Sequence, residues 1–194
     1  MILEHFGISI PIIGTYIIPF YMQMFFIIAG YFIPSQIVVK KFIAKRAIRL
    51  LMPYFFYGIL INCIVLFSLW FKNKITIQTI VNKFIGLLYS RFCLFPLGTE
   101  SNTYYLSVFA PAWFLTALFV ASALFIPFLY LPSKRIKWLI LVYFVISFLL
   151  NKLPILLPWS LDTAFIGALF IFIGYKLKNN NINPPRMNTS ACCG

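Results

Sequence analysis

The sequence predicts an all-α membrane protein, a polytopic bundle of about five transmembrane helices plus one re-entrant or interfacial helix. Three observations carry this reading. Hydrophobic residues make up 62% of the 194 residues and charged residues only 10%, against about 25% charge in a soluble domain. Long uncharged runs of spanning length recur along the chain. The basic residues cluster between those runs, as topology signals do. A water-exposed surface could not be built from so few charges, so lipid must bathe much of this one. The 23 Phe residues suit lipid-facing helix surfaces, and Tyr and Trp suit the interface belts.

The elements follow from the charges. Residues 6–39 are uncharged, and Thr15–Ile33 can span once Pro11 and Pro19 bend the entry. Leu50–Phe71 is an uncharged run of 22 residues, where about 20 residues at about 1.5 Å rise cross the hydrocarbon core. Pro111–Leu131 is a third span. Ile136–Leu150 is a fourth, short enough to require thinning or little tilt. Leu157–Leu177, which contains Asp162, is the fifth. Thr76–Phe92 reads as an amphipathic or re-entrant helix, and Gly98–Thr103 as a polar loop. Residues 1–178 form one domain. Residues 179–194, with Asn-Asn-Asn, Pro-Pro and Thr-Ser-Ala-Cys-Cys-Gly, lack any apolar period and read as a disordered tail.

Net charge is +13. In this setting topology and anionic lipid headgroups account for it, and nucleic-acid binding is excluded. Placing Lys40, Lys41, Lys45, Arg46 and Arg49 on the cytoplasmic side puts 11 of the 16 basic residues inside by alternation. Lys72, Lys74, Lys83, Arg91 and Lys152 then fall outside, and the bias supports this orientation. Cys63, Cys93, Cys192 and Cys193 match no zinc or redox spacing, and the sequence implies no metal. Cys63 falls in an apolar run, and the terminal pair is open to palmitoylation or to no role. No cleavable signal peptide is visible, and Met1–His5 reads as the end of an element.

Few residues can carry chemistry. His5 is the single histidine. Its unperturbed pKa of about 6.5 suits a general base near neutrality, and a frayed terminus is its bland reading. Glu4 is adjacent, and residues at i, i+1 do not face each other on a helix, so a Glu–His relay is not expected. Arg46 and Arg49 are three apart, which puts both guanidinium groups on one helical face. Such a pair can grip phosphate bidentately, or can simply anchor topology. Pro53 follows and can kink the next helix. Asp162 lies near the outer end of its span, where it can snorkel to water or hydrogen-bond an inward partner, with substrate binding and helix capping both open. Trp113 begins a helix at the outer interface, where an aromatic-belt role is the default.

Taken together, these segments resemble the acyltransferase 3 family of membrane O-acyltransferases, nearest its fucose 4-O-acetylase-like branch. His5 is similar to the histidine that ends a family helix. Phe20-Tyr-Met-Gln-Met-Phe-Phe-Ile-Ile-Ala-Gly-Tyr-Phe32 is similar to the family's F-x-M-P-L-F-F-F-I-S-G-Y helix, with Gln23 for its proline and Ala29 for its serine. Arg46 to Arg49 running into Leu50-Leu-Met-Pro-Tyr54 resembles its R-x-x-R stretch. Trp113-Phe-Leu115, Pro158-Trp-Ser-Leu-Asp-Thr-Ala164 and Gly174-Tyr175 complete the pattern, which covers roughly residues 1–178. Family members have about ten spans, so the resemblance implies a chain truncated at both ends, with another chain as a possible source of the missing helices.

The resemblance implies transfer of an acetyl group from acetyl-CoA to a hydroxyl of a cell-surface carbohydrate or its lipid-linked precursor. The setting would be a multi-pass protein of a bacterial cytoplasmic membrane, with membrane lipids as partners. It makes His5 the catalytic base or acyl relay, Arg46 and Arg49 the donor-binding pair, and Asp162 and Trp113 substrate-binding residues, with no metal. Two other readings stand beside it: an inactive fragment or partner subunit of such an enzyme, and a small polysaccharide or lipid transporter component. Asp162 as the sole acid within a span argues against an ion-coupled pump.

Overall fold

The computed structural model describes residues 18–34, 37–91 and 113–182, and among them every regular element is helical. In chain order these are α1 (Ile18–Tyr31), α2 (Val39–Phe71), α3 (Ile77–Tyr89), α4 (Trp113–Leu124), α5 (Pro127–Tyr130), α6 (Ser133–Leu150), a 3₁₀ turn (Pro158–Ser160) and α7 (Leu161–Ile182). Among the described residues three stretches are long and apolar enough to cross a membrane: Val39–Phe71, Trp113–Tyr130 and Pro158–Asn179. The expected span Thr15–Ile33 is described from Ile18 onward, where it is α1, and Ile136–Leu150 lies within α6. The 18 residues of α6 open on Lys134, Arg135 and Lys137, and the apolar remainder rises about 20 Å. The Gly98–Thr103 loop lies outside the described residues. α7 continues through Asn179–Ile182, and residues 183–194 of the expected tail also lie outside them.

The 33 residues of α2 rise about 50 Å, more than the roughly 30 Å hydrocarbon core. The excess is at the start, where all five cations of the helix lie between Lys40 and Arg49. The uncharged Leu50–Phe71 rises about 33 Å, which fits the core. Pro53 sits inside this helix without ending it. Its missing N–H leaves the Arg49 carbonyl without the usual helical donor. Pro127 has the sharper effect, because α4 ends at Leu124 and α5 restarts on the proline. One expected span is thus a broken helix.

The chain divides into two units. The first contains α1 and the later half of α7, from Phe170 onward. Within it, backbones approach so closely that a Cβ on Gly30 would overlap the Ile171 carbonyl, and one on Gly174 the Ile27 carbonyl. Lys178 Nζ donates to the Ile33 carbonyl at 2.9 Å, just past the end of α1.

The second unit, Ile37–Leu169, holds α2 to α6, the 3₁₀ turn and the start of α7. Several of its helices are inverted relative to a soluble protein. In α3 the apolar Ile77, Val81, Phe84, Ile85 and Leu88 are exposed, while Lys83 and Gly86 are buried. In α6 the buried residues are Tyr143 and Ser147, and Trp138, Leu141, Phe144, Phe148 and Leu149 face outward. Such faces are stable against lipid and not against water. The interior is held by hydroxyls: Tyr143 donates to the Leu124 carbonyl at 2.9 Å and Ser147 to the Asp162 carbonyl at 2.7 Å.

Candidate functional site

Among the described residues of the second unit, two groups of polar side chains can carry chemistry. The first is the basic opening of α2. Arg46 is half-buried with its guanidinium 5.4 Å above the Phe42 ring, one turn earlier. Arg49 is exposed. The expected pair therefore stands one turn apart on one continuous helix, with unequal access to solvent. Eight residues after Arg46 and five after Arg49, on the same helix, comes Tyr54. That is about 12 Å and 7.5 Å of rise. Tyr54 is 1% exposed and donates to the Leu87 carbonyl of α3 at 2.7 Å. Gly58, one turn on, is packed against the Leu87 side chain. Burial forces the Tyr54 hydroxyl to find a partner, and that bond fixes α3 against the arginine-bearing helix.

The second group surrounds Asp162. Its carboxylate is buried and forms an ion pair with Arg91, just past the end of α3. The choice between a water-facing and an inward Asp162 is settled for the inward one. An isolated carboxylate would be costly there, and the guanidinium removes that cost. Asp162 also lies in the first turn of α7, where the helix dipole favours an anion. Arg91 also binds backbone, its Nε donating to the Leu157 carbonyl at 3.2 Å. Tyr89 donates to the Leu156 carbonyl at 2.6 Å, and Trp159 Nε1 to the Leu88 carbonyl at 2.7 Å. The end of α3 is therefore laced to the Leu156–Asp162 segment. Burial pushes the Tyr89 phenol up in pKa, the Arg91 charge opposes this and the Asp162 charge adds to it, so the phenol is held as a donor.

Within that segment Trp159 and Ser160 both have φ of 55°. Left-handed backbone at two successive non-glycine residues costs about 1–3 kcal/mol each. The bonds from α3 and the edge-on contact of Trp159 with Phe119 hold it in place. The Ser160 hydroxyl is buried and has no hydrogen-bond partner among the described residues. Ser90, also left-handed as it closes α3, bonds Thr116 of α4 at 2.7 Å. Thr116 in turn donates to the Trp113 carbonyl at 2.8 Å. Trp113 is half-buried at the head of α4, connected to this network through its backbone.

His5 lies outside the described residues. Of the other expected site residues, Trp113 and Asp162 are joined through α3 and its polar end. Arg46 and Arg49 stand on the same helix as Tyr54, eight and five residues before it. Sequence reasoning passed over Arg91. The signal was present, since a membrane acid needs a cation and Arg91 was counted on the same side as Asp162. Tyr54 closed a motif without a role being read for it, and nothing in the sequence pointed to Ser147 or the Ser90–Thr116 pair.

These features define a helical membrane protein with a basic helix opening and a buried, ion-paired polar network. The chain belongs to the acyltransferase 3 family, whose model, described as an acyltransferase domain, matches residues 2–188. Comparison with curated proteins and with solved structures gives no match. The protein is therefore an acyltransferase of the membrane.

Proposed function

We propose that the protein is a multi-pass O-acetyltransferase of a bacterial cytoplasmic membrane, moving an acetyl group from acetyl-CoA to a hydroxyl of a cell-surface carbohydrate or its lipid-linked precursor. The observation that carries this reading is the pairing of Arg46 and Arg49 one turn apart at the head of an apolar run, in a chain of an acyltransferase family. The donor carries several phosphates, and guanidinium groups at this spacing suit them. His5 removes the acceptor hydroxyl proton, and Asp162 and Trp113 belong to the acceptor side. A thioester is already activated, so a base and an oriented donor supply much of the catalysis.

The test gives membranes containing the protein radiolabelled acetyl-CoA and an acceptor glycan. Acetylated glycan is the expected product. His5→Ala abolishes it while the protein still inserts. Arg46→Ala and Arg49→Ala each raise the KM for acetyl-CoA by roughly ten- to a hundredfold, the worth of a charge-assisted hydrogen bond. Full turnover in His5→Ala, or an unchanged donor KM in both arginine variants, refutes the assignment of roles.

A further inference from the structure

We infer that the exposed face at the opening of α2 is a binding site for one anionic phospholipid, its headgroup on Lys41 and Lys45 and its chains along Met52 and Phe56. The spacing makes the ridge. Lys41, Lys45, Met52 and Phe56 recur at three- to four-residue steps that pass through the exposed Arg49, so they share one helical face, with Arg49 at its centre. All four are exposed, as is Ile48 beside them. The opposite stripe is different: Arg46, Leu50, Tyr54 and Gly58 are half-buried or buried. Arg46 therefore turns toward the protein, and the two lysines turn away from it.

Depth fits a lipid. Lys45 stands five residues before Leu50, about 7.5 Å outside the uncharged run, which is headgroup level. Lys41 is one turn further out, within the reach of a snorkelling side chain. From Lys45 to Phe56 is 11 residues, about 16 Å of rise, close to the length of an acyl chain. Two cations above and an apolar strip below match a phosphate with its chains. A free phosphate would use the lysines and leave the strip unexplained. α2 also has the surface to offer, since its apolar window is 11% buried against 39% in each of the other two long helices.

The test places a bimane on Met52→Cys, in a full-length chain whose four cysteines are replaced by Ser, and reconstitutes it into phosphatidylcholine vesicles. Brominated phosphatidylglycerol and brominated phosphatidylcholine are compared as quenchers. The expected result is a preference for phosphatidylglycerol of about fivefold or more, as two nearby cations can supply. Lys41→Gln with Lys45→Gln removes the preference, and Lys41→Arg with Lys45→Arg keeps it. Lys72→Gln with Lys74→Gln takes the same charge from the turn after α2 and leaves the preference intact. Equal quenching by the two lipids in the unmodified ridge overturns the inference, as does a preference that survives the glutamines. Equal loss in both pairs of glutamine variants also overturns it, because the attraction would then belong to the net charge of the chain and not to this face. None of these readouts depends on acyl transfer.

Discussion

Replacing Arg91 by Gln should strongly destabilise the protein. The Arg91 and Asp162 side chains are 14% and 6% exposed, so the variant leaves a buried carboxylate without its counter-charge. Breaking such a pair from one side costs about 3–5 kcal/mol. The lost bond to the Leu157 carbonyl adds about 1 kcal/mol. A chain of this size loses about 2–4 °C of melting temperature per kcal/mol. The expected fall is therefore about 10 °C or more, read by size-exclusion chromatography after thermal challenge in detergent. Arg91→Gln combined with Asp162→Asn should recover most of that loss, since no buried charge is then stranded. A melting temperature within about 2 °C of the unmodified protein in the single variant would refute the reasoning. So would a double variant no more stable than the single one.

The three close-packed glycines should respond unequally to alanine, although each exchange gains up to about 1 kcal/mol of helix propensity. Gly30→Ala and Gly174→Ala meet backbone carbonyls and should lower the melting temperature, whereas Gly58→Ala meets the end of the Leu87 side chain and should be milder. Equal effects at all three in the same thermal assay would contradict the contacts. Ser160→Ala should leave stability unchanged or raise it, because its buried hydroxyl is unpaired among the described residues and such a group costs about 1–3 kcal/mol; a lower melting temperature would reveal a structural role. Burial pushes Lys83 below its ordinary pKa, so the unfolded chain binds the extra proton between the folded and the ordinary value. Stability should then rise as pH increases through that window. Lys83→Met should flatten the rise relative to the native protein, measured as melting temperature against pH.

Much of the fold was legible because charge avoidance in lipid is a strong constraint. The uncharged run from Leu50 fixed α2, and the polar spacing of Thr76–Phe92 anticipated α3 within a few residues at each end. The helical start of α2 was legible only in the spacing of Arg46 and Arg49, since nothing in Lys40–Arg49 marks where a helix begins inside a charged stretch. The break at Pro127 had its signal in the proline itself, which was passed over, and the strained turn at Trp159 was not legible, because it depends on tertiary contacts that over-determine the backbone. In the site, Asp162 stood out by its rarity. Its partner did not, because Arg91 looks like any topology charge until α3 brings it to α7. Hydroxyls such as Tyr54 and Ser147 carry no signal in a single sequence, since their importance comes from facing inward.

The inverted helices bear on how this protein can change. On α3 and α6, one aliphatic residue can replace another at the outer positions at little cost, because fluid hydrocarbon fits any of them. Tyr143, Ser147 and Ser90 have no such latitude, since each must answer a particular polar atom. Drift should therefore concentrate at the greasiest positions and spare the least greasy. Ranking sites by hydropathy would put the constraint on the wrong side of each helix.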